Sequence, residues 1–120
     1  MKPVHWMGSS RRDLRQFPKE VRRAIGYALE SAQNDDRHAS AKPLAGFGGA
    51  GVLEIVEDFR GDAYRGIYTV RFADAVYVLH VFMKKSKKGI ATPRRELDLI
   101  RTRLKKAKEE YEQWLRSRSR

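Results

Sequence analysis

The chain has 120 residues, 41% of them hydrophobic, enough for one modest core and too few for a second domain. It contains no cysteine, which excludes disulfide frameworks, thiolate metal sites and cysteine nucleophiles together. Its formal charge is +11, and the excess is concentrated in the C-terminal third: 12 basic and 10 acidic residues precede Lys84, whereas the segment from Lys84 onward holds 14 and 5.

A segment so basic suits a polyanion, because each Lys or Arg set against a phosphate releases condensed counterions; a solubilising helix face is the alternative. The opening MKPVHWMGSSRR has no apolar stretch of signal-peptide length. The longest apolar run, AVYVLHVFM, is interrupted by His80 and too short to span a bilayer, so a soluble cytoplasmic protein is expected, with no membrane partner.

Residues 2–7 read as a short strand, after which Ser9 or Ser10 can cap a brief helix through RRDLRQF. Pro18 opens a firmer helix running to about Asn34, with Val21, Ile25, Ala28, Leu29 and Ala32 on one stripe. Residues 35–51 are dense in Gly, Pro and small side chains and read as a long connection. Three strand-like runs follow at 52–59, 64–72 and 75–83, separated by the turn material RGDA and AD, which predicts an antiparallel meander. After Pro93 comes a last helix in which Leu97, Ile100, Leu104, Ala107, Tyr111 and Leu115 recur at spacings of three and four. Residues 116–120, RSRSR, have nothing to bury and are expected to be a disordered basic tail on a single domain spanning 1–115. The fold class is therefore α+β, with helices on one face of an antiparallel sheet.

Alternation on the middle strand puts Tyr64, Tyr68, Val70 and Phe72 on one face, expected under the helices, and Arg65, Ile67, Thr69 and Arg71 on the other, expected open. Antiparallel pairing with the next strand brings Lys84 beside Arg65. Two adjacent cations are costly unless an anion sits between them, and a scissile phosphate is such an anion; a solvated strand end is the competing reading. His80 shares parity with Lys84, but its apolar neighbours favour a hydrogen-bonded, half-buried histidine, and it stays outside the catalytic set. The loop GFGGAG lacks the GK[ST] ending of a phosphate cradle and precedes a strand. His5, His38 and His80 lack metal-ligand spacing, so neither metal nor other cofactor is expected. Trp6, Trp114 and Tyr111 read as core or interface aromatics rather than base-stacking groups.

The run SAKPLAGFGGAGVLEIVEDFRGDAYRGIYTVRFADAVYVLHVFMKKSKKGIATP from Ser40 onward resembles the phage-related branch of the HigB/RelE-type toxins, and so does the opening KPVHWMGSSRRDLRQFPKEVRRAIGYAL. Together they cover nearly the whole chain, with AKPL, GVLEI, YRGIYTVRF and VLHVFMKKSKKGIATP the most specific pieces. The resemblance implies a RelE-like sheet, made of an N-terminal strand plus a three-stranded meander, packed against N-terminal helices with a C-terminal helix. It also implies the toxin of a type II toxin–antitoxin system: a metal-independent, ribosome-dependent endoribonuclease that cuts mRNA and inhibits translation. Its partners would be mRNA on the ribosome and a cognate HigA-like helix-turn-helix antitoxin, with DNA reached only through that antitoxin.

On this resemblance Arg65 matches the arginine of the YR-x-x-Y strand motif, Lys84 the basic residue after the last strand, and Lys85 its neighbour in F-x-K-K, making these the candidate catalytic residues. Arg71, Lys87, Lys88 and Lys42 are the candidate RNA contacts. The chain departs from RelE-like enzymes on the first meander strand, where Glu54, Glu57 and Asp58 stand in place of activating lysines. It departs again where a tyrosine is expected, at Ala91, Thr92 and Pro93. Glu54 is then the candidate general base. Two other classes remain open: a ParE-like inhibitor of DNA gyrase, which shares the fold without nuclease residues, and a plain nucleic-acid-binding module.

Overall fold

The computed structural model describes residues 1–49, 51–84 and 92–118. Eight elements follow in the order β1 (Val4–Trp6), α1 (Ser10–Arg15), α2 (Lys19–Gln33), β2 (Ala41–Pro43), β3 (Val52–Phe59), β4 (Asp62–Thr69), β5 (Val76–Lys84) and α3 (Arg94–Arg118). The strands form one sheet, β1-β5-β4-β3-β2, in which β1 runs parallel to β5 and every other neighbouring pair is antiparallel. The α+β class, the meander, the N-terminal helices and the C-terminal helix agree with the sequence reading.

The sheet is nonetheless mixed, and it has a strand inside the segment read as a connection. Residues 41–43 pair with β3, where buried Ala41 anchors an edge strand that ends at Pro43, a residue with no N–H to donate. The β3–β4 hairpin turns on Arg60 and Gly61, at φ 51° and 88°. Positive φ at both central positions matches the right-handed strand twist, so β4 begins at Asp62 rather than Tyr64. Helix α3 continues past Leu115 to Arg118, whose guanidinium lies 4.4 Å from the Trp114 ring centroid.

Helices cover both faces of the sheet, not one. On the first face α2 buries Val21, Ile25, Ala28 and Leu29 against Leu53, Ile55, Tyr64, Tyr68, Val78 and Val81. On the second, Ile100 and Ala107 of α3, with Leu97 and Leu104, cover Val52, Ile67, Tyr77, Leu79 and Phe82. The cause lies in β5, which is apolar at every position from Val76 to Phe82 except His80 and so must be sheltered on both sides.

Two irregularities set which side chains meet α3. Ile67 pairs with His80 while Tyr68 pairs with Val78, so Leu79 is the extra residue of a bulge. Leu79 and His80 consequently face α3 together, one in the second core and the other bonded to the helix. Beyond Thr69 the strand alternation ends, and Phe72 departs from the expected face to join the second core, stacked on Tyr111 at 4.8 Å.

Gly66 lies where α2 comes nearest to the sheet. A Cβ there would stand 3.3 Å from Ile55 Cγ2 and 3.4 Å from Ile25 Cδ1 and Cγ2. Gly66→Ala is expected to overpack this contact and cost about 1–3 kcal/mol, read as a lower urea midpoint at unchanged slope. A variant as stable as the parent would show that α2 yields freely.

Candidate functional site

The α3-facing side of the sheet carries a ladder of polar residues. Lys42, Glu54, Ile67 and His80 form one register row across β2, β3, β4 and β5. The next row is Val56, Arg65 and Phe82, and the one after it Asp58, Ala63 and Lys84. Arg65 therefore lies diagonally between Glu54 and Lys84, within reach of long side chains on one face. The sheet places Arg65 and Lys84 on diagonal positions of adjacent strands, as the sequence suggested, whereas Lys42 lies three strands from Lys84 and meets Arg65 only through Glu54.

Arg65 is not open to solvent. It is 5% exposed, because the start of α3 covers the face expected to be bare. Its Nη1 lies 3.4 Å from Glu54 Oε2 and donates to Thr92 Oγ1 at 3.1 Å. Lys42 Nζ approaches the other carboxylate oxygen, Glu54 Oε1, at 3.7 Å from the exposed rim. Glu54 thus holds a buried guanidinium on one oxygen and an exposed ammonium on the other. Thr92 occupies the neighbourhood where the resemblance calls for a tyrosine and accepts a hydrogen bond from the arginine.

Arg71 stands apart from this group. Its Nη2 donates to the Phe47 carbonyl at 2.9 Å, fastening the glycine-rich connection onto the end of β4. Lys85, Lys87 and Lys88 lie outside the described residues.

A second polar set adjoins the first: His80 is hydrogen-bonded as the sequence suggested, but its partners come from α3. His80 Nε2 lies 3.3 Å from Glu96 Oε1, and its Nδ1 lies 3.2 Å from Arg103 Nη1. Arg103 also donates to the Leu79 carbonyl at 3.0 Å and to Ser9 Oγ at 3.4 Å, and Ser9 Oγ donates to Asp13 Oδ2 at 2.7 Å. A guanidinium can only donate, so Nδ1 accepts and the neutral imidazole places its proton on Nε2, aimed at Glu96. Burial pushes the His80 pKa below its ordinary 6.5 and Arg103 adds to the effect, outweighing Glu96 and Asp13. The signal was present in sequence: Glu96 and Arg103 fall at helical spacing with the buried Ile100 and Ala107, so two charged residues sit within an apolar stripe.

Among the described residues there is no group of His, Asp or Glu that could hold a metal, and no helix is long and apolar enough to cross a membrane. The site offers fixed cations against an anion, one buried carboxylate between them and a locked neutral imidazole.

Residues 12–105 match the sequence profile of the family described as "Phage derived protein Gp49-like (DUF891)". No curated protein matches the chain. Among solved structures, "The crystal structure of the toxin-antitoxin complex RelBE2" from Mycobacterium tuberculosis is similar at 26% identity, over 71% of this chain and 93% of that one, with a TM-score of 0.42.

Two predictions follow from this geometry. Arg65→Ala leaves a buried carboxylate without its main partner and is expected to cost about 3 kcal/mol, whereas Arg65→Ala/Glu54→Ala costs clearly less; equal losses in denaturant titrations would exclude the pairing. The second concerns pH. Because His80 has a lowered pKa when folded, the unfolded chain binds the proton first, so stability is full above about 6.5 and declines as pH falls below it. His80→Gln, which can donate to Glu96 and accept from Arg103, is expected to flatten that decline between about pH 7 and 5 in urea midpoints. Identical pH profiles would remove His80 as its source.

Proposed function

The chain belongs to the phage-derived Gp49-like family, and on that premise we propose that it is the toxin of a type II toxin–antitoxin pair, a ribosome-dependent endoribonuclease acting on mRNA. The observation that carries the reading is the placement of Arg65 and Lys84 at diagonal positions of adjacent strands on one sheet face, with Glu54 and Thr92 fixing Arg65 and Lys42 paired to the far side of the same Glu54.

An RNA phosphate bears the nucleophile it needs in the adjacent 2′-hydroxyl. Attack forms a bond from the 2′-oxygen to phosphorus and breaks the bond from phosphorus to the 5′-oxygen, leaving a 2′,3′-cyclic phosphate and a 5′-hydroxyl. Negative charge builds on the non-bridging oxygens, and preorganised cations stabilise it without reorienting during the step. Arg65 is suited to this because its guanidinium is already held in place; Lys84 and Lys42 supply charge from the rim. Glu54, set beside Arg65, is the candidate acceptor for the 2′-hydroxyl proton, and that proton is returned to the departing 5′-oxygen to give the 5′-hydroxyl.

The metal-independent step uses only groups of the chain. Lys85, Lys87 and Lys88 would extend the cationic surface along the RNA backbone. Neutralisation by a small helix-turn-helix antitoxin of acidic or amphipathic character accords with the basic C-terminal third, where complementary charge speeds encounter.

The test is induction in a bacterial host with mapping of mRNA 5′ ends. Discrete cuts within translated frames are expected. Lys84→Ala is expected to lower cleavage by about 10²-fold, as for loss of one transition-state donor. Arg65→Lys keeps a positive charge beside Glu54 and serves as the folded variant at that position. DNA damage without RNA cuts would instead select the gyrase-inhibitor class, and a Lys84→Ala variant with full activity would discard the site.

A further inference from the structure

A cavity of about 250 Å³ opens on the α3 side of the sheet, away from Arg65 and Glu54. Phe47 of the glycine-rich connection, Phe72 and Leu104 make its apolar floor, and Arg71, Arg101, Lys105 and Lys108 surround it. No carboxylate is among the lining residues. We propose that this cavity is a second RNA subsite, which seats one unpaired base against the Arg101 guanidinium over the apolar floor while Lys105 and Lys108, with Arg101, hold the flanking phosphates. The proposal rests on the RNA-directed reading of the protein and adds where the strand is gripped outside the cleavage site.

Three features of the cavity point this way. Arg101, Lys105 and Lys108 follow one another at i, i+4 and i+7, a like-charge row that costs an isolated helix about 0.2–0.5 kcal/mol per pair. Among the described residues neither Lys105 nor Lys108 forms an ion pair, and Arg101 has only Asp98, at 3.5 Å on the surface. Such a row is relieved by a linear polyanion, with one phosphate per turn or less.

The floor supplies the other half of nucleotide recognition. The Arg101 guanidinium lies 5.1 Å from the Phe47 ring centroid, giving an arginine plane over an aromatic ring beside the opening. Bases stack on such surfaces whatever their sequence, each worth about 1–3 kcal/mol. The rest of the lining offers no neutral side-chain hydrogen-bonding group to read a base edge, so binding here is expected to be tolerant of sequence. An acidic amphipathic peptide would also meet the charges, but its apolar anchors recur at successive helical turns and need several sockets. One socket beside a row of cations matches one base between phosphates.

The subsite is also held by the fold. The Arg71 bond to the Phe47 carbonyl ties the loop to the sheet and Phe72 is stacked on Tyr111, so the floor is formed before any ligand arrives; with Phe47 and Phe72 only 7% and 8% exposed, the surface left for a base to stack on is the Arg101 guanidinium above them.

The experiment uses the full chain from cell-free synthesis and a fluorescent single-stranded oligodeoxynucleotide, which lacks the 2′-hydroxyl and cannot be cut. Binding is measured across salt concentrations for the parent, for Lys105→Ala/Lys108→Ala, and for the control Lys19→Ala/Arg22→Ala on the opposite helix layer. Removing two phosphate contacts is expected to lower the log–log salt slope by about 1.4 for the cavity pair and leave the control pair at the parent value. A 4-thiouridine-bearing RNA is expected to cross-link to Phe47 or Phe72. A cavity pair that behaves like the control, or cross-links confined elsewhere, overturns the subsite while mRNA cleavage in the host leaves the reaction standing. No binding of the oligonucleotide by the parent, with tight binding of a Glu- and Leu-rich peptide that the cavity pair loses, overturns it in favour of a peptide groove.

Discussion

Helix α3 closes a sheet face that would otherwise leave Ile67, Tyr77, Leu79 and Phe82 in water, and the remaining architecture is arranged around that closure. Each of those side chains is worth about 1.5–3 kcal/mol when buried, and the helix provides Ile100 and Ala107, both fully buried, to meet them. The same act places a lid over polar residues at the margin of the apolar patch. Arg65, Glu54 and His80 are buried in consequence, and buried polar groups must be satisfied. The helix and its approach supply several of the partners: Thr92 accepts from Arg65, Glu96 meets His80, and Arg103 takes the other ring nitrogen.

This arrangement divides the basic C-terminal third into two populations. Arg103 turns inward, where its donors are spent on a carbonyl, a hydroxyl and an imidazole. Arg101, Lys105 and Lys108 turn outward around the cavity above Phe47 and Phe72. A net charge read from composition treats these alike, yet only the outward set acts on a partner at a distance. Helical period alone separates them, because residues 100, 103 and 107 share the face that the sheet occupies.

The acidic residues of β3 have a similar explanation. Glu54 occupies a strand where the resemblance calls for lysine, and its carboxylate lies between Lys42 and Arg65, two cations that would otherwise face each other without an anion. It thereby holds Arg65 in one orientation in the absence of RNA. A substrate phosphate would compete with Glu54 for the same guanidinium, so binding and the release of that ion pair are coupled in the proposed mechanism.

The sequence by itself determined the amphipathic helices, the meander and its register, and with the register the proximity of Arg65 and Lys84, because strand pairing across short turns leaves little freedom. It also carries two signals that the tertiary structure explains: the apolar positions on both faces of β5, which require cover on both sides, and the charged residues inside the α3 stripe. Tertiary structure alone decided that β1 joins β5 in parallel, that Ala41–Pro43 adds an edge strand, and that a bulge turns Leu79 and His80 to the same side. It also decided that Arg65 is buried and Arg71 serves the glycine-rich loop. Those outcomes depend on contacts between segments far apart in the chain. Local periodicity reports which face of an element is apolar, but not which distant element will cover it.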